Sequence, residues 1–281
     1  MSQADDKSRD SMRRAVRVGI SGWKYEPWRN GFYPDALTQK DELAYASRAL
    51  PTIEINSTFY GAKKPENFAT WYAQTPEDFV FSVKAPQRVT HQSRLQDIEA
   101  PIARFLASGI FELKEKLGPV LWQFPPWFRF DAERFEAFLA CLPHDAEAAS
   151  AFVEKHLSAR STAGVMNGGQ DDGEDDAKRV LRHAVEIRHD SFVDADFVKM
   201  LRRHGVALVV ADSGGRWPEY GDVCTDFMYL RLPRRQRAVQ QQLHGQGPRH
   251  LGGAHPELVR RRAACRHAGD DGHEPAPPRA P

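Results

Sequence analysis

Residues 183–188 read HAVEIR, and the alternation inside that stretch decides the fold. Side chains along a strand point to opposite faces with a period of two. Val185 and Ile187 therefore share one face, and Glu186 and Arg188 share the other. Similar alternation recurs along the chain. In TIEIN (52–56) Ile53 and Ile55 oppose Glu54 and Asn56. In FVFSVK (79–84) Phe81 and Val83 oppose Ser82 and Lys84. In FMYLRL (227–232) Met228 and Leu230 oppose Tyr229 and Arg231. The apolar set suits a face packed by helices, so the polar set points into the interior of a curled sheet.

Working outward, short β-branched or aromatic runs alternate with longer amphipathic stretches, the pattern of a parallel α/β architecture. Seven strands are expected: Val16–Ser21, Thr52–Asn56, Phe79–Lys84, Pro119–Phe124, His183–Arg188, Ala207–Asp212 and Phe227–Leu232. Helices are expected at Asp41–Leu50, Pro65–Gln74, Ala100–Lys116, Ala132–Leu142 and Ala195–His204. Asp131 reads as an N-cap and Gly205 as the glycine that ends a helix. The chain of 281 residues suits one TIM-type (β/α) barrel, which takes about 250 residues. Residues 158–180 are Gly-rich and acidic and read as a solvated loop. They lack the fixed spacing of a calcium loop.

The polar residues fall near the C-terminal ends of the strands, the barrel face on which active sites are built. Gln123 and Asp212 join them from the fourth and sixth strands. Burying an isolated charge costs several kcal/mol unless it is paired or wet. Glu54, Lys84, Glu186, Arg188, Asp212 and Arg231 thus form either a set of ions that pair across the barrel or a ligand site in its mouth. In the second case Lys84, Arg188 and Arg231 grip a carboxylate or phosphate. Glu54, Glu186 or Asp212 then serves as acid or base, or binds a cation. His91 and His189 lie just past two strand ends. The loops after strands one, two and four are aromatic: Trp23, Tyr25, Trp28, Phe32, Tyr33, Phe59, Tyr60, Phe124 and Trp127. They form either a hydrophobic lid or a platform that stacks bases or sugars.

Composition narrows the classes. Lysine and arginine (39) nearly balance aspartate and glutamate (38), which argues against bulk polyanion binding. Cys141, Cys224 and Cys265 are scattered, with no metal or disulfide spacing, which suits a reducing cytoplasm. The charged start, MSQADDKSRDSMRR, has no secretory apolar region, and no apolar run approaches a membrane span. P-loop, GxSxG and HExxH motifs are absent. No motif indicates a cofactor, and a divalent metal stays open. The expected partner is a small polar or anionic ligand, with nucleic acid as the alternative.

Six motifs, GISGWKYEPW, EINSTFYG, FSVKAP with RVTH, LGPVLWQFPP, AVEIRHDSF and VVADSGGRWP, resemble those of the YecE-like family, also called domain of unknown function 72. The resemblance runs from about Val16 to Leu232 and implies a TIM-type barrel without an established reaction. It implies shared positions at Gly22, Trp23, Trp28, Glu54, Asn56, Phe59, Tyr60, Lys84, His91, Gln123, Pro125, Glu186, Arg188 and Asp212. The barrel is also distantly similar to the metal-holding sugar-isomerase and endonuclease barrels, an analogy of fold alone.

After FMYLRL the chain becomes rich in Arg, Pro, Gly and His, with no strand-like run, and residues 233–281 read as disordered, as do residues 1–15. The family continues here with Leu-His-Gly, a Trp-bearing helix and an eighth strand. Reading the tail one nucleotide out of frame recovers both of the first two features with freely chosen synonymous codons, which points to a one-base shift after the Leu232 codon. Without strand eight, strands one and seven lack a shared neighbour and the sheet has two open edges. The expectation is a marginal, aggregation-prone chain without a cooperative thermal transition above about 60 °C, and an inactive product of a frameshifted gene is a further alternative to the enzyme-like reading.

Overall fold

A computed structural model describes residues 16–29, 31–157 and 179–232. The expected disorder of 1–15 and 233–281, the frame shift, and most of the acidic loop lie outside the described residues.

Seven parallel strands form one curled sheet in simple sequence order. They are β1 (Ile20–Ser21), β2 (Thr52–Ile55), β3 (Val80–Lys84), β4 (Leu117–Gln123), β5 (His183–Glu186), β6 (Ala207–Ala211) and β7 (Tyr229–Arg231). The helices are α1 (Glu42–Ala49), α2 (Pro65–Gln74), α3 (Glu99–Leu106), α4 (Ala132–Ala140), α5 (Ala146–His156) and α6 (Ala195–Arg203). Ile53, Ile55, Phe81, Val83, Val185 and Ile187 are buried in the main apolar core together with Phe68 of α2, Ile102 of α3 and Phe138 of α4. The two-residue period thus separates the faces as the sequence predicts. The result is an α/β half-barrel. Among the described residues β1 pairs only with β2, and β7 only with β6. The described residues form no closed ring: the sheet is open at β1 and at β7.

The edges also explain where strand lengths fall short. Val16–Ser21 is strand-like in sequence, yet only Ile20–Ser21 is a strand, and Val16 and Val18 are 70% and 69% exposed. A β-branched run becomes a strand only where a neighbour takes its backbone groups. β7 likewise shrinks from Phe227–Leu232 to Tyr229–Arg231.

Two helix expectations need correction. The stretch 100–116 is not one helix: α3 stops at Leu106, and a 3-10 segment runs from Ile110 to Lys116. Gly109 separates them with φ of 99°, and a Cβ there would lie 2.5 Å from the Cα of Pro65. α5 was not expected from the sequence. Its N-cap, Asp145, accepts the Ala148 N–H at 2.7 Å. The other caps behave as read: Asp131 accepts the Arg134 N–H at 3.0 Å, and Gly205 closes α6 with φ of 60°.

Candidate functional site at the C-terminal ends of the strands

The inward polar side chains of β2, β3, β4, β5 and β7 converge. Arg231, on edge strand β7, donates through Nη1 to Glu186 Oε2 at 2.5 Å and through Nη2 to Glu54 Oε1 at 3.0 Å. Glu186 also accepts Arg188 Nε at 2.8 Å, and Gln123 Nε2 at 2.9 and 2.8 Å on its two oxygens. Glu54 accepts the hydroxyls of Ser21 at 2.9 Å and Tyr229 at 2.7 Å. Because Tyr229 gives its proton to a carboxylate, Ser82 must donate to the Tyr229 oxygen, 2.8 Å away. Asn56 donates to Ser21 Oγ. One arginine and one tyrosine from β7 therefore cross the open side of the curled sheet to reach β2, β3 and β5.

Burial alone would raise the Glu186 carboxyl, but Arg231 and Arg188, with hydrogen bonds from Gln123 and Arg188, outweigh it and hold the group below the ordinary carboxylate value. Tyr229 moves the opposite way. Burial, and then the Glu54 charge, push its phenol well above the ordinary value.

Lys84, at the end of β3, is 8% exposed, and its Nζ lies 4.1 Å over the face of Phe59. Among the described residues no hydrogen bond holds that amine. Burial, then Arg231, lower its pKa; Glu54 and Glu186 raise it; Arg188 lowers it again, and the balance is about 8. His91 sits on a π-helical turn, Arg88–Gln92, after β3. Its ring meets Phe59 edge-on at 5.0 Å and Trp127 at 6.5 Å. Burial, then Lys84 and Arg188, depress its pKa.

The remaining expected residues lie as follows. Arg188 stacks over Trp217 at 4.5 Å. Asp212 Oδ1 accepts the Gly214 N–H at 2.9 Å in the loop after β6. Trp23 is buried edge-on to Trp71 at 5.4 Å. Trp28 packs on Tyr25, Phe32 and Tyr33, so the aromatic loop after β1 largely packs on itself. Tyr60 is 76% exposed. His189 Nδ1 accepts the Ser191 N–H at 3.0 Å and caps a turn of its own loop. Among the described residues no three His, Cys, Asp or Glu side chains come together as a metal site requires. A cleft of about 360 Å³ is lined by Arg94, Trp127, Phe128, Arg129, Phe130, Asp131 and Arg134. Arg94 lies 5.1 Å over Trp127.

Sequence reasoning passed over Ser21, Ser82 and Tyr229 as site residues. Parity already put Ser82 and Tyr229 on the inward face. What it could not supply was which inward neighbour each would meet across the curl.

The model for the protein of unknown function DUF72 matches residues 17–267. The chain belongs to the DUF72 family. The match extends past Leu232 into residues outside the structure's description. UPF0759 protein YunF of Bacillus subtilis is 31% identical over 118 residues, 40% of this chain and 41% of YunF. UPF0759 protein YecE of Escherichia coli K12 is 30% identical over 114 residues, 40% of this chain and 39% of YecE. The chain thus matches about two fifths of the length of these curated relatives. A DUF72 family protein from Thermotoga maritima superposes with a TM-score of 0.55 at 25% identity, covering 83% of this chain and 78% of that one. A DUF72 family protein from Enterococcus faecalis gives 0.51 at 23% identity, covering 79% of this chain and 72% of that one, a likeness of fold.

Proposed function

We propose that the C-terminal face of this DUF72 half-barrel is an enzyme-like site for a small anionic ligand carrying a carboxylate or phosphate. The observation that carries the reading is the unmatched amine of Lys84. Around the mouth Arg188 and Arg231 engage the carboxylates of Glu54 and Glu186. Among the described residues the buried amine of Lys84 beside them has no hydrogen-bond acceptor. A buried cation without a partner is costly, and an anion entering the mouth would supply one. In this arrangement Glu54 and Glu186 hold Arg231 and Arg188 in place, while Lys84, Arg188 and His91 face the ligand.

A TIM-type barrel that lacks its eighth strand is part of the same proposal. Among the described residues β1 and β7 each have one unpaired edge, and β7 side chains already reach β2, so an eighth strand between them would complete the wall of the mouth. The proposal also places the protein in the cytoplasm, where the free thiols of Cys141 and Cys224 would stay reduced.

Titration calorimetry with inorganic phosphate and a panel of small carboxylates tests the reading. At least one of these anions is expected to bind, and Lys84→Met should weaken it about tenfold, the equivalent of about 1.4 kcal/mol. Failure of every anion to bind, or equal binding by the variant, would overturn it.

A further inference from the structure

We propose that Lys84 is an amine nucleophile that forms an iminium with an aldehyde or 2-oxo acid bearing an anionic group. The inference rests on the anionic-ligand reading and deepens it by naming a class of substrate.

Two buried lysines of this molecule show why Lys84 stands out. Lys116, at the foot of β4, is 4% exposed. Its amine donates to the carbonyl oxygens of Tyr72 at 2.7 Å and Thr75 at 2.9 Å, and to Thr75 Oγ1 at 3.2 Å. All of its donors are used, as a structural ammonium requires. Among the described residues Lys84 has none of this. Its surroundings are the Phe59 ring, two arginines, His91 and two carboxylates that the arginines already engage. A lysine becomes a nucleophile when it is desolvated or set beside another cation, because both disfavour the ammonium. Lys84 meets both conditions at the strand end where barrel chemistry is placed. The facing charged groups are Glu54 on β2, Glu186 and Arg188 on and after β5, Arg231 on β7, and His91 after β3.

With its pKa at about 8, roughly half of Lys84 is neutral at pH 8, against about 0.3% for an ordinary lysine. The neutral Nζ adds to the carbonyl carbon, forming a C–N bond while the C–O π pair moves to oxygen. Proton transfer gives a carbinolamine. One further proton from solvent allows its hydroxyl to leave as water, and the nitrogen lone pair forms the C=N bond of a protonated iminium. No oxidant or reductant takes part. Arg188, which faces the ligand, holds the substrate's anionic group, and Arg231 stays bridged to Glu54 and Glu186.

Glyoxylate, an aldehyde with a carboxylate, is the probe, and sodium cyanoborohydride traps the iminium as a stable secondary amine. Peptide mapping by mass spectrometry is expected to find Lys84 labelled at least about tenfold faster than the exposed Lys24 and Lys40 at pH 8, with a rate that rises around pH 8. Equal labelling of the three lysines, or a Lys84 rate that rises only near 10.5, the ordinary lysine value, would overturn the inference. Lys84→Arg separates the two levels of the argument. It keeps the cation, so phosphate binding should persist while labelling at position 84 is lost. Phosphate binding by both proteins without preferential labelling of wild-type Lys84 overturns the nucleophile alone. Absence of anion binding in the wild type overturns the site reading beneath it.

Discussion

The two ends of the strands treat buried polar groups differently. At the N-terminal end, His183 opens β5 and is fully buried. The indole of Trp122 can only donate, so His183 Nδ1, 3.1 Å away, accepts. The proton must then sit on Nε2, which donates to the Pro143 carbonyl oxygen at 2.7 Å. Lys116 at the same end is equally satisfied. At the C-terminal end Glu186 collects three partners, while Lys84, two strands away on β3, has no acceptor among the described residues. The lower end is finished structure, and the upper end keeps a surplus donor. Variants at four positions can break or sharpen that contrast.

The largest effect is expected from Glu186→Ala. It leaves the half-buried Arg188 and Arg231 without their shared carboxylate, and removing one partner of a buried pair costs about 3–5 kcal/mol. The denaturant midpoint should fall by the matching amount. Acid should act in the same direction in the wild type. The Glu186 pKa is lowered on folding, so its contribution is complete above the ordinary value of 4.5 and is lost as pH falls through the depressed folded value. A midpoint that Glu186→Ala leaves unchanged would mean that the mouth network is ornamental.

His183 gives the next effect, from the lower end. Burial, set against the hydrogen bond to Pro143 and joined by the nearby His144, takes its pKa from 6.5 down to about 4. The folded state then binds fewer protons than the unfolded state between those values. Stability is complete above pH 6.5 and declines as pH falls toward 4, by on the order of 3 kcal/mol in all. His183→Gln should remove that part of the slope between pH 7 and 4.5. An unchanged slope would place the titration elsewhere.

The sequence discloses these two ends unequally, for physical reasons. A strand's two-residue period is written in the chain, so Glu54, Lys84, Glu186 and Arg231 could be assigned to one face from HAVEIR and its counterparts. The direction of a parallel strand then put them at one rim. Pairing across the curl is not written locally: Tyr229 and Glu54 are 175 residues apart. Lys116 was invisible for the same reason, because its acceptors belong to the end of α2, more than 40 residues earlier. The break at Gly109 went unseen because a lone glycine is tolerated inside helical periodicity, and only the approach of Pro65 makes it a stop. The short edges show the reverse limit. Val16 and Val18 carry strand propensity, but no neighbouring backbone in the described residues uses it.

Lys116→Met should cost about 1–3 kcal/mol, because it strands buried carbonyl oxygens of Tyr72 and Thr75 that the amine now satisfies. The measurement is again the chemical midpoint, with guanidinium and urea compared so that ionic screening is separated from packing.

Lys84→Met carries the smallest expected change and the sharpest contrast. Methionine keeps the length and apolar contact with Phe59, strands no acceptor, and removes a charge that folding disfavours, so stability at pH 7 should stay level or rise by about 1 kcal/mol. The sign follows from the shift. The folded pKa of about 8 lies below the ordinary 10.5, so the wild type binds fewer protons when folded and gains stability as pH rises between those values. The variant should lose that rise while matching the wild type at higher pH. A variant destabilised as much as Lys116→Met would show that Lys84 is bonded structure like its counterpart at the foot of the sheet. A level or more stable variant that has lost anion binding would show a lysine kept at a cost to the fold, for what the mouth holds.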